Sequence, residues 1–192
     1  NGGAPSILTN GAMNCSEGTA VISDAAGALL FYTDGLTIYN ANHVAMSNGT
    51  GMAASGNACQ SSLIVKQPGS NTIYYVFLLQ GNGGDFYYSV VDMSLAGGLG
   101  AVTTVSNVVI TTNVTEKLTA TRHCNGTDVW IVIHDWGNNT FMSYLLTATG
   151  LSAPVLSSVG TTHSGTVNNV LGCMKISPTG RKLGLGIWAS IY

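Results

Sequence analysis

Apolar positions in this chain fall in short runs of strand length, rich in Val, Ile, Leu, Tyr and Phe and bounded by Gly, Asn, Asp or Pro. No stretch sustains the 3.6-residue spacing of an amphipathic helix, so the pattern predicts an all-β chain. One unit recurs four times: an apolar strand, a tight turn containing Gly, and a second apolar strand. The first copy is Thr19–Ser23, the turn Asp24-Ala25-Ala26-Gly27, and Leu29–Thr33. The second is Ser62–Lys66, a turn around Pro68-Gly69-Ser70-Asn71, and Ile73–Leu78. The third is Lys117–His123, the turn Asn125-Gly126-Thr127-Asp128, and Val129–His134. The fourth is Leu171–Ser177, the turn Pro178-Thr179-Gly180, and Lys182–Ile187.

Third strands follow the first three copies at Leu36–Asn40, Phe86–Met93 and Thr140–Thr147, and fourth strands follow twice, at Val102–Thr111 and Val155–Val159. A repeat of about 45 to 55 residues holding four short strands is the period of a β-propeller blade. The fold expected is therefore a partial β-propeller of four-stranded antiparallel blades, about three and a half of them, since such units must stack on neighbours to bury both faces. The approximate blades are 17–60, 61–112, 115–165 and an incomplete 168–192, within one region spanning 1–192. Ser6-Ile7-Leu8-Thr9 reads as a stray strand, and Ile191-Tyr192 still reads as strand, so a fragment of a longer chain is expected. A small β-sandwich or barrel with irregular hairpins is the competing architecture.

Composition sharpens this picture. Hydrophobic residues make up 45% and charged residues only 7%, against roughly 25% charged in an average soluble domain. Six Lys and Arg at a net charge of -2 leave no electrostatic footprint for nucleic acid. No apolar run reaches the roughly 18 residues of a membrane-spanning helix. Four cysteines, Cys15, Cys59, Cys124 and Cys173, lack any CxxC spacing, which argues against a zinc site. Two disulfides with three possible connectivities, or four buried thiols, are the arrangements open to them.

The segment from Glu17 to Asp24, with Gly27 and Leu29-Leu30-Phe31-Tyr32-Thr33-Asp34-Gly35, resembles the opening blade of a family of large secreted Bacteroidetes proteins that often end in gliding-motility or type IX secretion sorting domains. Asn48-Gly49-Thr50-Gly51, Tyr87-Tyr88-Ser89-Val90-Val91-Asp92-Met93, Thr115-Glu116-Lys117-Leu118 and His163-Ser164-Gly165 extend the resemblance over nearly the whole chain. Ser177-Pro178-Thr179-Gly180-Arg181-Lys182-Leu183 is similar to the Ser-Pro-Asp-Gly turn of periplasmic propellers, with Thr179 in place of Asp. The resemblance implies export and display at the cell surface, and it supplies no enzymatic activity. Cys124 and Cys173 depart from the small or aromatic residues expected of the family. A Cys124–Cys173 pair between inner strands, with Cys15–Cys59 as the other, is the pairing suggested on that basis.

Among candidate chemical groups, Glu17 and Glu116 stand at or before the first strand of their units, where both can face a central channel. A glycosidase needs two carboxylates roughly 5 to 10 Å apart across one cleft, so these two with His163 form the alternative catalytic set. The competing role for both is pairing with Lys117 or Arg122, or capping turns. Asp24, Asp34 and Asp128 adjoin Gly in turns, where Asp serves local backbone hydrogen bonds. His134-Asp135 suggests a base with its carboxylate, but adjacent strand residues point to opposite faces. His123 with His163 on neighbouring blades is the one metal option; no metal and no cofactor is expected. Trp130 and Trp188 alternate within strands and are expected in the core between blades. Trp136 in the Asp135–Asn139 turn, with Tyr39 and Tyr87, is the candidate aromatic platform for a ligand.

The function expected is a non-catalytic module in adhesion or in protein or glycan binding at the cell surface, exported by type IX secretion. Its partners would be other parts of its own longer chain, a surface protein or glycan, and the secretion machinery, with no nucleic acid and no membrane span. A carbohydrate-active hydrolase with a channel-facing acidic site, and a purely structural component of a surface assembly, are the alternatives.

Overall fold

The computed structural model describes residues 9–187. Of the predicted strand Ser6-Ile7-Leu8-Thr9 only Thr9 is described, and it is in no strand; its other residues, Trp188 and the strand end at Ile191-Tyr192 lie outside the described residues. Within them the chain is all-β, its only helical elements being the short 3-10 turns Ala96–Gly98 and Val167–Asn169.

Strands β1 (Ala20–Ser23), β2 (Leu29–Thr33), β3 (Thr37–Asn40) and β4 (Ala45–Thr50) form an antiparallel meander. The predicted first hairpin is present: the Asp24 carboxylate accepts the backbone N–H groups of Ala26 and Ala28 and holds its turn. Strands β5 (Ser62–Lys66), β6 (Ile73–Leu79) and β7 (Phe86–Asp92) form the second meander. The single fourth strand expected at Val102–Thr111 is instead two pieces, β8 (Ala101–Val102) and β9 (Val108–Thr111), each paired with β7. The break falls at Asn107, whose φ is 50° and whose side chain bonds Gly51 and Ala53 of the first unit. A parallel contact, Ser47 to Ala101, joins the two meanders into a nine-stranded sheet.

The two ends of that sheet, β1 and β5, lie against each other, so it comes close to closing on itself as a barrel does. The closure is tight at Gly18, whose N–H donates to Ala58 O and whose carbonyl accepts Ser61 Oγ–H at 2.6 Å. A Cβ at position 18 would fall onto the Ser61 backbone nitrogen and within 2.7 Å of Ala58 O. Backbone cannot yield as a flexible side chain does, so Gly18→Ala is expected to cost about 2–3 kcal/mol, read as a lower urea midpoint at unchanged slope.

A five-stranded sheet follows: β10 (Val114–Arg122), β11 (Val129–Asp135), β12 (Thr140–Thr147), and then β13 (Gly150–Leu151) and β14 (Val155–Ser158), both on β12. The hairpin β15 (Met174–Ile176) and β16 (Leu183–Leu185) closes the described chain. One core lies inside the nine-stranded sheet, and a second lies between its β5–β7 side and the five-stranded sheet. Tyr74, Val76 and Leu78 of β6 join Phe31, Ile38 and Val91 in one core, while Phe77 and Leu79 from its other face join Leu118, Ile131, Tyr144 and Leu146 in a second. Strand alternation sends neighbours to opposite faces, so both sides of β6 are buried.

Candidate functional site

The first strands of the four units run close together, β1 against β5, β5 against β10 and β10 against β15. The residues just before them therefore share one place. The pairing of β10 with β11 shifts between Val114 and Leu118, and this irregularity seats Glu116 and Lys117. Their side chains leave in opposite directions. Glu116 turns to the first two units, where its carboxylate accepts Cys59 N–H and Asn82 N–H, each at 2.9 Å. Lys117 turns to the fourth unit, where its ammonium donates to the carbonyls of Asn169, Val170 and Leu171 at 3.3, 2.8 and 2.9 Å. Glu116 is 1% exposed and Lys117 is 0% exposed. Burial pulls the Lys117 ammonium down from 10.5 to about 8, against the opposing pull of Cys59, Glu116 and Cys173.

Gln60 ties the same units again. Its Oε1 accepts Leu118 N–H at 3.2 Å and Met174 N–H at 2.8 Å, and its Nε2 donates to Met174 O. Gly172, with a φ of 138°, sits where a Cβ would run into the Gly186 carbonyl and within 3.1 Å of Lys117 Cε.

Glu17 joins this cluster from the first unit. A Glu17 carboxylate oxygen, Cys59 Sγ and a Glu116 carboxylate oxygen lie within 4.8 Å of one another. Burial pushes the Cys59 thiol up to about 11; the Gly172 N–H pulls it the other way, and Glu17 and Glu116 raise it further. A thiol held protonated is a hydrogen-bond donor to Glu17 rather than a nucleophile. By residue type the three could ligate a cation, but both Glu116 oxygens already accept backbone N–H groups and the Lys117 ammonium stands nearby. The arrangement is a polar brace across four units.

The other member of the alternative catalytic set, His163, is not part of this cluster. It stacks on His134, with ring centroids 3.8 Å apart and 18° between planes, and Phe141 meets His134 edge-on at 4.6 Å. His134 Nδ1–H donates to the Asp135 backbone carbonyl at 2.6 Å, so the Asp135 carboxylate does not orient the imidazole as a catalytic base. That carboxylate instead accepts Trp136 N–H and Asn138 Nδ2–H. His134 Nε2 and His163 Nδ1 are buried without a hydrogen-bond partner among the described residues. Burial lowers both imidazoles, His163 to about 4, with His134 and Lys117 pushing it further down. The metal pairing of His163 with His123 is not made, because His123 lies against Trp130 and Cys124 in the β10–β11 turn.

The three aromatic residues expected to form a platform are not brought together. Tyr39 stacks on Tyr32 at 5.2 Å and donates to Asp34; Tyr87 donates to Asp85 and packs against the first core. Trp136 keeps its predicted turn and lies over Gly83. All three are half-buried. Trp130, expected in a core between units, belongs to neither core and is half-buried.

All four cysteines are free thiols, so neither expected disulfide is present. Cys124 is exposed in its turn beside His123, whereas Cys173 precedes β15 at the brace, and this difference in position keeps them unpaired.

Sequence reasoning missed Gln60, the Asn169–Leu171 carbonyls and the stacked imidazoles. Superposing the starts of the first strands would have marked Gln60, since Glu17 and Gln60 stand two or three residues before β1 and β5 and Glu116 stands at the start of β10. Comparison of the chain with family models, curated proteins and solved structures finds no match.

Proposed function

We propose that the chain is a run of β-propeller blades acting as a non-catalytic binding module of a secreted, surface-displayed bacterial protein, in adhesion or in protein or glycan recognition. Three features support the propeller reading: the hairpin-led repeat, the adjacency of successive inner strands, and the burial of β6 on both faces. Propeller blades stack in this radial manner. Display at the surface through type IX secretion rests on the family resemblance and on a polar complement made of Asn, Ser and Thr rather than of charges.

The observation that carries the non-catalytic reading is the saturation of Glu116. A general acid or nucleophile must reach substrate, yet this carboxylate is 1% exposed and accepts two backbone N–H groups. Glycan recognition then falls to aromatic faces outside the brace, of which Trp136 is the best set.

The second reading, a carbohydrate-active hydrolase, is favoured by one observation: the nearness of Glu17 and Glu116 carboxylate oxygens, within 4.8 Å. A glycan array read alongside product analysis on surface polysaccharides separates the two. Retention of a glycan without product is expected, and Trp136→Ala should weaken it about tenfold, the effect of losing a stacking face. Release of product that disappears in Glu17→Gln would overturn the non-catalytic reading.

A further inference from the structure

A cavity of about 940 Å³ lies between the face of the β11–β12–β14 sheet turned away from the second core and the β15–β16 hairpin. That is within the size range of small-molecule sites, which are mostly apolar with a few polar groups. Trp130, Val132 and Phe141 form one wall, and Leu183, Leu185 and Ile187 the other. Among the described residues no carboxylate lines it, whereas Arg181 and Lys182, two of the chain's six basic side chains, do. His134 and His163 also line it, 0% and 3% exposed, each with a ring nitrogen lacking a partner among the described residues. A buried polar atom without a partner is uncommon in a settled core and marks a place completed by something else.

We propose that this cavity binds an amphipathic organic anion, with an aromatic or aliphatic body seated against Trp130, Val132 and Leu183 and a carboxylate, sulfonate or phosphate head at Arg181 and Lys182. The sign of the ligand follows from the lining: two cations, no anion, and neutral imidazoles at the floor. Its apolar body follows from the two walls. The site is separate from Trp136 and stands whether or not the chain binds glycans.

The test titrates the 192-residue chain with 8-anilinonaphthalene-1-sulfonate and with its uncharged relative N-phenyl-1-naphthylamine, following ligand fluorescence and, by calorimetry, stoichiometry. One sulfonate per chain is expected. Replacing Arg181 and Lys182 together with Ser should weaken the sulfonate about tenfold, as loss of paired charge does, and leave the uncharged probe within about twofold. Ser157→Trp, at an exposed β14 position on the cavity wall, should weaken both probes. Absence of saturable binding, several sulfonates per chain, or a sulfonate affinity untouched by the double substitution would each overturn the proposal.

Discussion

Replacing Glu116 with alanine is expected to lower the stability of the chain by about 3 kcal/mol, a fall of roughly 10 °C in the unfolding midpoint for a domain of this size. The carboxylate accepts two N–H groups, from Cys59 and Asn82, in a place water does not reach. Truncation strands both donors, and a buried donor without an acceptor costs about 1–3 kcal/mol. The neighbouring Lys117 ammonium also loses a nearby negative charge.

Glu116→Gln is the more telling variant. Its amide oxygen can serve one of the two N–H groups, but its NH2 must then face the other, donor against donor. A loss of about 1–2 kcal/mol is therefore expected even from this near-isosteric change. Urea unfolding of both variants measures it. If Glu116 were a catalytic acid held in readiness, removing it would leave stability unchanged or raise it, and two unshifted midpoints would discard the brace.

The same residues show which parts of the fold the sequence could disclose. Hairpins β1–β2, β5–β6 and β10–β11 were legible because local signals agree: β-branched and aromatic runs, Asp or Asn in the turns, Gly where φ is positive. Strand β4, Ala45–Thr50, was not, since Ser47-Asn48-Gly49 carries the composition of a loop although it pairs with the adjacent β3. The division of β8 from β9 turned on one left-handed Asn107 engaged with another unit, which no window of sequence contains.

For the candidate site the position of Glu17 and Glu116 at or before the first strands of their units was readable, and the structure does bring them together. What they do there was not readable, because their partners are backbone groups and a thiol from other units. The stacking of His134 on His163, 29 positions apart by number, depends on the path of the chain from β12 through β14 back to the β11–β12 turn. There His163 is pinned by Asn138 O accepting its N–H and by Gly137 N–H donating to its carbonyl.

That stacked pair gives the second large effect, a loss of stability on mild acidification. Burial holds the His163 imidazole at about 4 in the folded chain, below its ordinary 6.5, and His134 is displaced in the same direction. Because the folded value is the lower one, the unfolded chain takes up protons first as pH falls. The stabilisation is complete above about pH 6.5 and is lost between about 6.5 and 4. The groups facing the pair pull both ways: Lys117 opposes a positive charge on either ring, whereas the Asp135 backbone carbonyl and the Asp135 charge favour one on His134. About 2 kcal/mol is expected across this window. His163→Gln, unable to take a proton and still held by Asn138 O and Gly137 N–H through its backbone, should flatten much of the slope between pH 6.5 and 5. Carboxylates titrate mostly below that interval, so urea midpoints measured at half-unit steps assign it to the imidazoles. A slope identical in the wild-type chain and the variant would mean that the His163 ring is solvated well enough to titrate as it does in the unfolded chain.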